Sequence, residues 1–191
     1  MLRHIIPSRT RVKIFELFYH HPHDQYYLRK IVRDINEEVN AVKRELDILE
    51  KEKILLKERR LNKVFYTLNK QYILYDEFLR IFSKTDELPK TLLSNLPKLG
   101  KVKFIVMSSK FAKKQPIKDD DVYFLFVGTI VVPEVASIIG TIEKQLDIVI
   151  NFTVMSEDEF VFRKKNNDPF LWKFLRQPKI MLVGQEEDLQ K

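Results

Sequence analysis

Two short apolar-patterned helices followed by a basic hairpin constrain this chain more than any other feature. They are carried by Tyr26-Tyr27-Leu28-Arg29-Lys30-Ile31-Val32, by Asn40-Ala41-Val42-Lys43-Arg44-Glu45-Leu46-Asp47-Ile48-Leu49, and by Lys57-Glu58-Arg59-Arg60-Leu61-Asn62-Lys63-Val64-Phe65-Tyr66. A first helix precedes them, from about residue 8, with Ser8 as its N-cap, to residue 18. Val12, Ile14, Phe15, Leu17 and Phe18 give it one broad apolar stripe. His20-His21-Pro22-His23-Asp24 ends that helix, and Gln25-Tyr26-Tyr27 reads as a short strand leading into a second helix from 28 to about 34. Asn36-Glu37-Glu38 supplies the turn and N-cap region of a third helix running to about 51. Val42, Leu46 and Leu49 face inward at helical spacing, which leaves Asn40, Lys43, Arg44 and Asp47 on the outer face.

Residues 54–60 and 64–68 are β-compatible runs joined by Leu61-Asn62-Lys63, and Asn62 is the residue expected to take the positive φ of the turn. Arg59, Arg60 and Lys63 fall at the tip. Cations there suit phosphates or a minor groove, with salt-sensitive affinity that depends little on sequence.

Charge is distributed to match. Of the formal net +7, residues 1–84 carry 18 Lys and Arg against 12 Asp and Glu, and residues 85–191 carry 16 against 15. The excess belongs to the first half, as in a polyanion-binding module attached to a near-neutral domain. With no cysteine in 191 residues, disulfides, zinc fingers and cysteine nucleophiles are excluded. Apolar residues at 45% supply cores for two domains. No apolar run reaches membrane-spanning length and no signal-peptide core is present, so a cytoplasmic protein with no membrane partner is expected.

Residues 8–83 resemble the ArsR-type winged helix-turn-helix of bacterial and archaeal transcription regulators. The resemblance implies double-stranded DNA as partner, with Asn40, Lys43 and Arg44 at bases and nearby phosphates and Arg59, Arg60, Asn62 and Lys63 on the backbone. Two positions depart from the pattern: the glycine usual after the third helix is Lys53, and the one common at the wing tip is Leu61. A last helix, 71–83, carries Tyr72, Ile73, Tyr75, Phe78, Leu79, Ile81 and Phe82, more apolar surface than one small domain needs. Part of it, with the first helix, is expected to form a homodimer interface and to match a two-fold operator.

A boundary follows. Residues 85–99 read as a linker with a short helix at 92–96, and residues 100–191 as a second domain. Strands are expected at 102–107, 122–127, 148–154 and 179–183, with helices at about 133–145, 157–165 and 169–176. The whole chain is thus α+β, its second domain a small α/β unit with a mixed sheet.

The run Ile105-Val106-Met107-Ser108-Ser109-Lys110-Phe111-Ala112-Lys113-Lys114, followed by Asp119-Asp120-Asp121-Val122-Tyr123-Phe124-Leu125-Phe126-Val127-Gly128, resembles a minimal nucleotidyltransferase domain. That family holds triphosphate on a Gly-Ser turn and two metal ions on an Asp-x-Asp pair, with a third carboxylate on a later strand. One register places Ser109-Lys110 at the turn and Asp121 with Tyr123 at the pair. The other places Ser108-Ser109 at the turn and Asp119 with Asp121 at the pair. The turn glycine is missing in both, and Ile148-Val149-Ile150-Asn151-Phe152-Thr153-Val154 contains no acid. Ser108, Ser109, Asp119 and Asp121 are therefore candidate remnants of a catalytic site, and no cofactor is expected unless the second domain is active and takes Mg.

Other constellations read as structural. His4, His20, His21 and His23 lack ligand spacing, the segment from Pro169 to Leu175 is a helix packed on the sheet, and Arg163-Lys164-Lys165 is a solvated helix end. The expected function is sequence-specific transcription regulation, with the second domain a nucleotidyltransferase-like sensor or assembly module that binds an unknown ligand or protein. Two alternatives stay open: an active nucleotidyltransferase modifying a protein or RNA, and an antitoxin-like partner-binding protein.

Overall fold

A computed structural model describes residues 2–118 and 121–190 of the chain, so the candidate carboxylate Asp119 lies outside the described residues. The fold is α+β. The chain divides into two compact units, Met1–Ser83 and Lys84–Lys191.

In the first unit, α1 (Arg9–His20) starts at Ser8, whose hydroxyl accepts from the Arg11 N–H and donates to Glu45 at 2.5 Å. It is followed by β1 (Tyr26–Tyr27), α2 (Leu28–Ile35) and α3 (Val39–Lys51). Asn36, at φ 48°, stops α2 in the left-handed conformation that asparagine tolerates. Lys13 and Arg9 then fasten the α2–α3 turn to α1 through Glu37, at 2.7 and 3.1 Å. Strands β2 (Leu55–Arg60) and β3 (Lys63–Leu68) form a hairpin, and β1 adds to it in the antiparallel order β1-β3-β2. Phe18, Ile31, Val42, Leu46 and Leu49 are buried in this unit.

The helix expected from residue 71 begins later, as α4 (Tyr75–Ser83). The Asn69 side chain accepts from the Gln71 N–H, the Asn69 carbonyl accepts from Tyr72, and the Tyr72 carbonyl accepts from Tyr75, so successive turns occupy the backbone donors a helix would use. Much of the apolar surface of α4 is spent within the unit. Tyr75, Leu79 and Phe82 are buried, Tyr19 stacks on Phe82, and Phe78 packs against Phe15. Ile73, Leu74 and Ile81 remain exposed.

The second unit starts earlier than its sequence suggests. α5 (Glu87–Ser94) replaces the expected helix at 92–96, because Pro89 sits in the first turn, where the N–H it lacks is not needed. Leu88, Leu92 and Leu99 are buried and α5 packs on a later helix of the same unit, so residues 85–99 are not a loose linker. The sheet consists of β4 (Gly100–Ser108), β5 (Phe124–Ile130), β6 (Phe152–Met155) and β7 (Lys179–Val183), in the order β6-β5-β4-β7. β4 runs antiparallel to β5 and β7, while β5 and β6 are parallel and are joined through α7 (Val132–Leu146), giving a mixed sheet. A short α6 (Ser109–Ala112) follows β4. α8 (Glu157–Lys165) and α9 (Pro169–Arg176) contribute Phe160, Leu171, Phe174 and Leu175 to a core with Phe104, Val106, Leu125 and Val127, and α10 (Glu186–Gln190) adds Leu189.

In the second sheet, two strands start later than expected. β6 starts at residue 152 rather than 148, since Asp147 takes φ 52° to cap α7 and the Glu143 side chain accepts from the Ile150 N–H at 2.7 Å. β5 starts at 124 rather than 122, because Asp121 turns back to donate its N–H to the Lys118 carbonyl.

Candidate nucleic-acid interface

The periodicity of α3 sets the outer face. Burial of Val42, Leu46 and Leu49 turns Asn40, Lys43, Arg44 and Asp47 to solvent. In the hairpin, alternation sorts the side chains: Lys57, Arg59, Val64 and Tyr66 lie on one face, and Glu58, Arg60, Lys63 and Phe65 on the other.

A cleft of about 570 Å³ opens between these elements, lined by Arg29 of α2, Lys43 and Asp47 of α3, and Lys57, Asn62 and Lys63 of the hairpin. Tyr27 and Tyr66 complete its walls. Four cations against one carboxylate make the cleft electropositive, and water-filled concavities of one sign focus a field. The structure thereby brings Lys43, Asn62 and Lys63 together, while Asn40 and Arg44 lie on the outward face of α3 beyond the cleft lining. Arg29 and Lys57 were given no role in the sequence reading. Their signals were available, as the second residue of a helix facing the hairpin and as the alternate partner of Arg59.

The hairpin cations differ in their freedom. Arg60 forks onto Glu58 with contacts of 2.7 and 2.6 Å and donates to Gln25 at 2.9 Å, so its charge is largely matched within the chain. The Glu58 carboxyl is lowered from its ordinary value chiefly by that hydrogen bond. The Lys63 ammonium sits 4.7 Å from the centre of the Tyr27 ring. Lys43, Arg44 and Arg59 form no ion pair among the described residues.

Positive φ is taken by Leu61 at 52°, not by Asn62 as expected, and by Lys53 at 59°. Both positions where glycine is usual thus keep a left-handed backbone despite their side chains. The reason at Leu61 is the turn: residues 61 and 62 alone connect the paired Arg60 and Lys63, and two-residue hairpin loops need an inverted backbone.

In the second unit, Ser108 caps α6 and accepts from the Lys110 N–H at 3.2 Å, and the Ser109 N–H donates to the Pro178 carbonyl. Asp121 is 7% exposed, with Lys110 at 3.2 Å from one carboxylate oxygen and Lys173 at 2.8 Å from the other. Burial pushes its carboxyl upward, but the two lysines outweigh that and lower it from the ordinary value. Tyr123, at the second position of one possible Asp pair, donates its hydroxyl to the Gln115 carbonyl. Among the described residues, the Asp121 carboxylate is already shared by two ammoniums, and β6 brings no acid. Among the described residues no group of three or more His, Asp or Glu is placed to hold a metal ion.

Elsewhere, the His20 Nε2 lies 3.0 Å from the Phe82 carbonyl and the His23 Nδ1 3.0 Å from the Lys70 ammonium, which are contacts of the fold. Another cavity, of about 300 Å³, is lined by the apolar Phe104, Val127, Phe160 and Trp172 and by Lys103, Glu157 and Lys164. Burial lowers the Lys164 ammonium, which donates to the Leu189 carbonyl. No described helix is long and apolar enough to cross a membrane. In comparisons with known proteins, the chain matches no family model, no curated protein and no solved structure.

Proposed function

We propose that the chain is a sequence-specific DNA-binding transcription regulator whose first unit is a winged helix-turn-helix. The reading rests on one observation: the outward residue Lys43 of α3 lines the same electropositive cleft as Asn62 and Lys63 of the hairpin, together with Arg29 and Lys57. A helix presented beside a basic hairpin lets one element read base edges while the other holds phosphates. The element order supports this, as do the left-handed backbones at Lys53 and Leu61, where the family uses glycine.

In this reading Asn40, Lys43 and Arg44 contact bases and nearby phosphates, and Arg59, Lys63, Lys57 and Arg29 supply the backbone term. Arg60 contributes less, since Glu58 already holds it. Selection from a pool of random duplexes should yield a preferred sequence for the wild type. Replacing both Lys43 and Arg44 with Ala should abolish that preference, and unchanged selection by the double variant would refute the assignment.

The second unit acts as a sensor or assembly domain on a nucleotidyltransferase-like scaffold. The pairing of Asp121 with Lys110 and Lys173 favours this over catalysis, because a metal ion would compete with an ammonium at either carboxylate oxygen. The cavity lined by Phe104, Val127, Phe160 and Trp172 offers room for a small effector, and Trp172, the one tryptophan of the chain, gives a fluorescence signal at its wall. Label transfer from ATP and magnesium that vanishes in Asp121→Ala would reverse this assignment.

A further inference from the structure

Leu61 is the most exposed large apolar residue of the described chain, at 95%, and it occupies a left-handed backbone with φ 52°. A lone exposed leucine on a helix would mean little. In this conformation the side chain carries a cost, because a Cβ crowds the following carbonyl by about 1–2 kcal/mol in the left-handed region. Glycine would remove that cost and nothing in the fold would be lost, since the leucine buries almost no surface against its own chain. Any favourable free energy from this side chain must come from burial against another molecule, worth about 1.5–3 kcal/mol when complete.

The surroundings identify the molecule. Within two residues along the chain lie Arg59, Arg60 and Lys63, and the other turn residue is the polar Asn62. Arg60 is held by Glu58, which leaves Leu61 between Arg59 on one face of the hairpin and Lys63 on the other; one apolar side chain so flanked is too small for a protein-docking patch and has the wrong charge for an apolar groove. It is complementary to a polyanion that offers one narrow apolar slot. Stacked base pairs of duplex DNA are such a slot, with phosphates on both sides at the spacing of a groove. The two-residue turn matters as well: only Leu61 and Asn62 connect the paired Arg60 and Lys63, and of the two only Leu61 is apolar.

We infer that Leu61 is a wedge that enters the minor groove of duplex DNA and partly unstacks one base step, while Arg59 and Lys63 hold the flanking phosphates. The inference rests on the DNA-binding reading above and adds a consequence to it: the bound duplex is kinked toward the major groove. Unstacking costs a few kcal/mol, which burial of the leucine and the contacts made by the bent DNA offset. Pyrimidine–purine steps, which part most easily, should be preferred beneath the wing.

The test uses the full chain with a duplex of about 30 base pairs carrying a central TA step and a fluorophore at each end, so that energy transfer reports the bend. Wild type should bind and shorten the end-to-end distance. Leu61→Gly should bind about tenfold more weakly and leave the duplex straight, with a melting temperature no lower than wild type. Leu61→Phe should keep the bend. Binding and bending by Leu61→Gly equal to wild type would overturn the wedge and leave DNA recognition standing, as would wild-type binding to a straight duplex. Failure of the wild type to bind duplex at any salt concentration would overturn both.

Discussion

The carboxylate of Asp121 is shared by the ammoniums of Lys110 and Lys173, which are 35% and 37% exposed. Asp121→Asn leaves the two cations facing each other across a neutral amide. Because both are partly solvated, the loss should be about 1–2 kcal/mol rather than the larger value of a fully buried pair. The pH dependence has a definite sign. The folded carboxyl titrates below its ordinary value of 3.8, so the folded state binds this proton less readily than the unfolded chain. The stabilisation is therefore complete above that value and is lost as the pH falls through the folded one. Urea titrations at neutral and acid pH should show the wild-type advantage over Asp121→Asn shrinking on acidification; a constant gap would contradict the pairing. At this scale the sequence was half legible. It revealed missing glycines at Lys53 and Leu61, but not that both keep positive φ, because residue identity states the cost of a conformation and the chain's closure decides whether it is adopted. Likewise the lysines that neutralise Asp121 lie 11 residues before it and on α9, a pairing no local spacing discloses.

Among elements, α1 and α4 meet in a cluster formed by Phe15, Tyr19, Phe78 and Phe82, and within it the Tyr19 hydroxyl is buried with no hydrogen-bond partner among the described residues. Removing that oxygen should help: Tyr19→Phe is expected to raise stability by about 1 kcal/mol in thermal unfolding, and a loss would show that the hydroxyl is satisfied. Gly128 in β5 behaves oppositely. Its φ of 141° and the 2.2 Å that would separate an added Cβ from the Lys101 carbonyl oxygen leave no space at the irregular β4–β5 pairing. Gly128→Ala should cost about 2–3 kcal/mol, read as an earlier denaturation midpoint. The position of α3 was legible because Val42, Leu46 and Leu49 fall at helical spacing within a helix of 13 residues. The limits of β6 were not, since the capping of α7 by Asp147 and the bond from Glu143 to Ile150 take up residues whose apolar pattern reads as strand. The start of α5 at Glu87 was hidden for a related reason: a proline such as Pro89 ends a helix or begins one according to its place in the turn.

For the molecule as a whole, the uneven charge and the cleft between α3 and the hairpin describe one property at two resolutions. The two-unit organisation was visible as a shift in composition, but the tie of residues 85–99 to the second unit was not, because it depends on which side Leu88, Leu92 and Leu99 pack. Ile73, Leu74 and Ile81 are exposed, and if they cover a second copy, as the homodimer expected from the sequence requires, two chains should bind one duplex in sedimentation; one chain per duplex at saturation would contradict that expectation. The electrostatic role of the first unit is tested most directly by the affinity of the full chain for duplex DNA as a function of salt, measured for the wild type and for the variant with both Arg59 and Lys63 replaced by Ala. Each lost phosphate contact should reduce the steepness of log affinity against log salt by about 0.9, so the double variant should be shallower by about 1.8 and weaker on every sequence. Equal slopes for the two proteins, or no binding by the wild type at low salt, would contradict DNA recognition through this face.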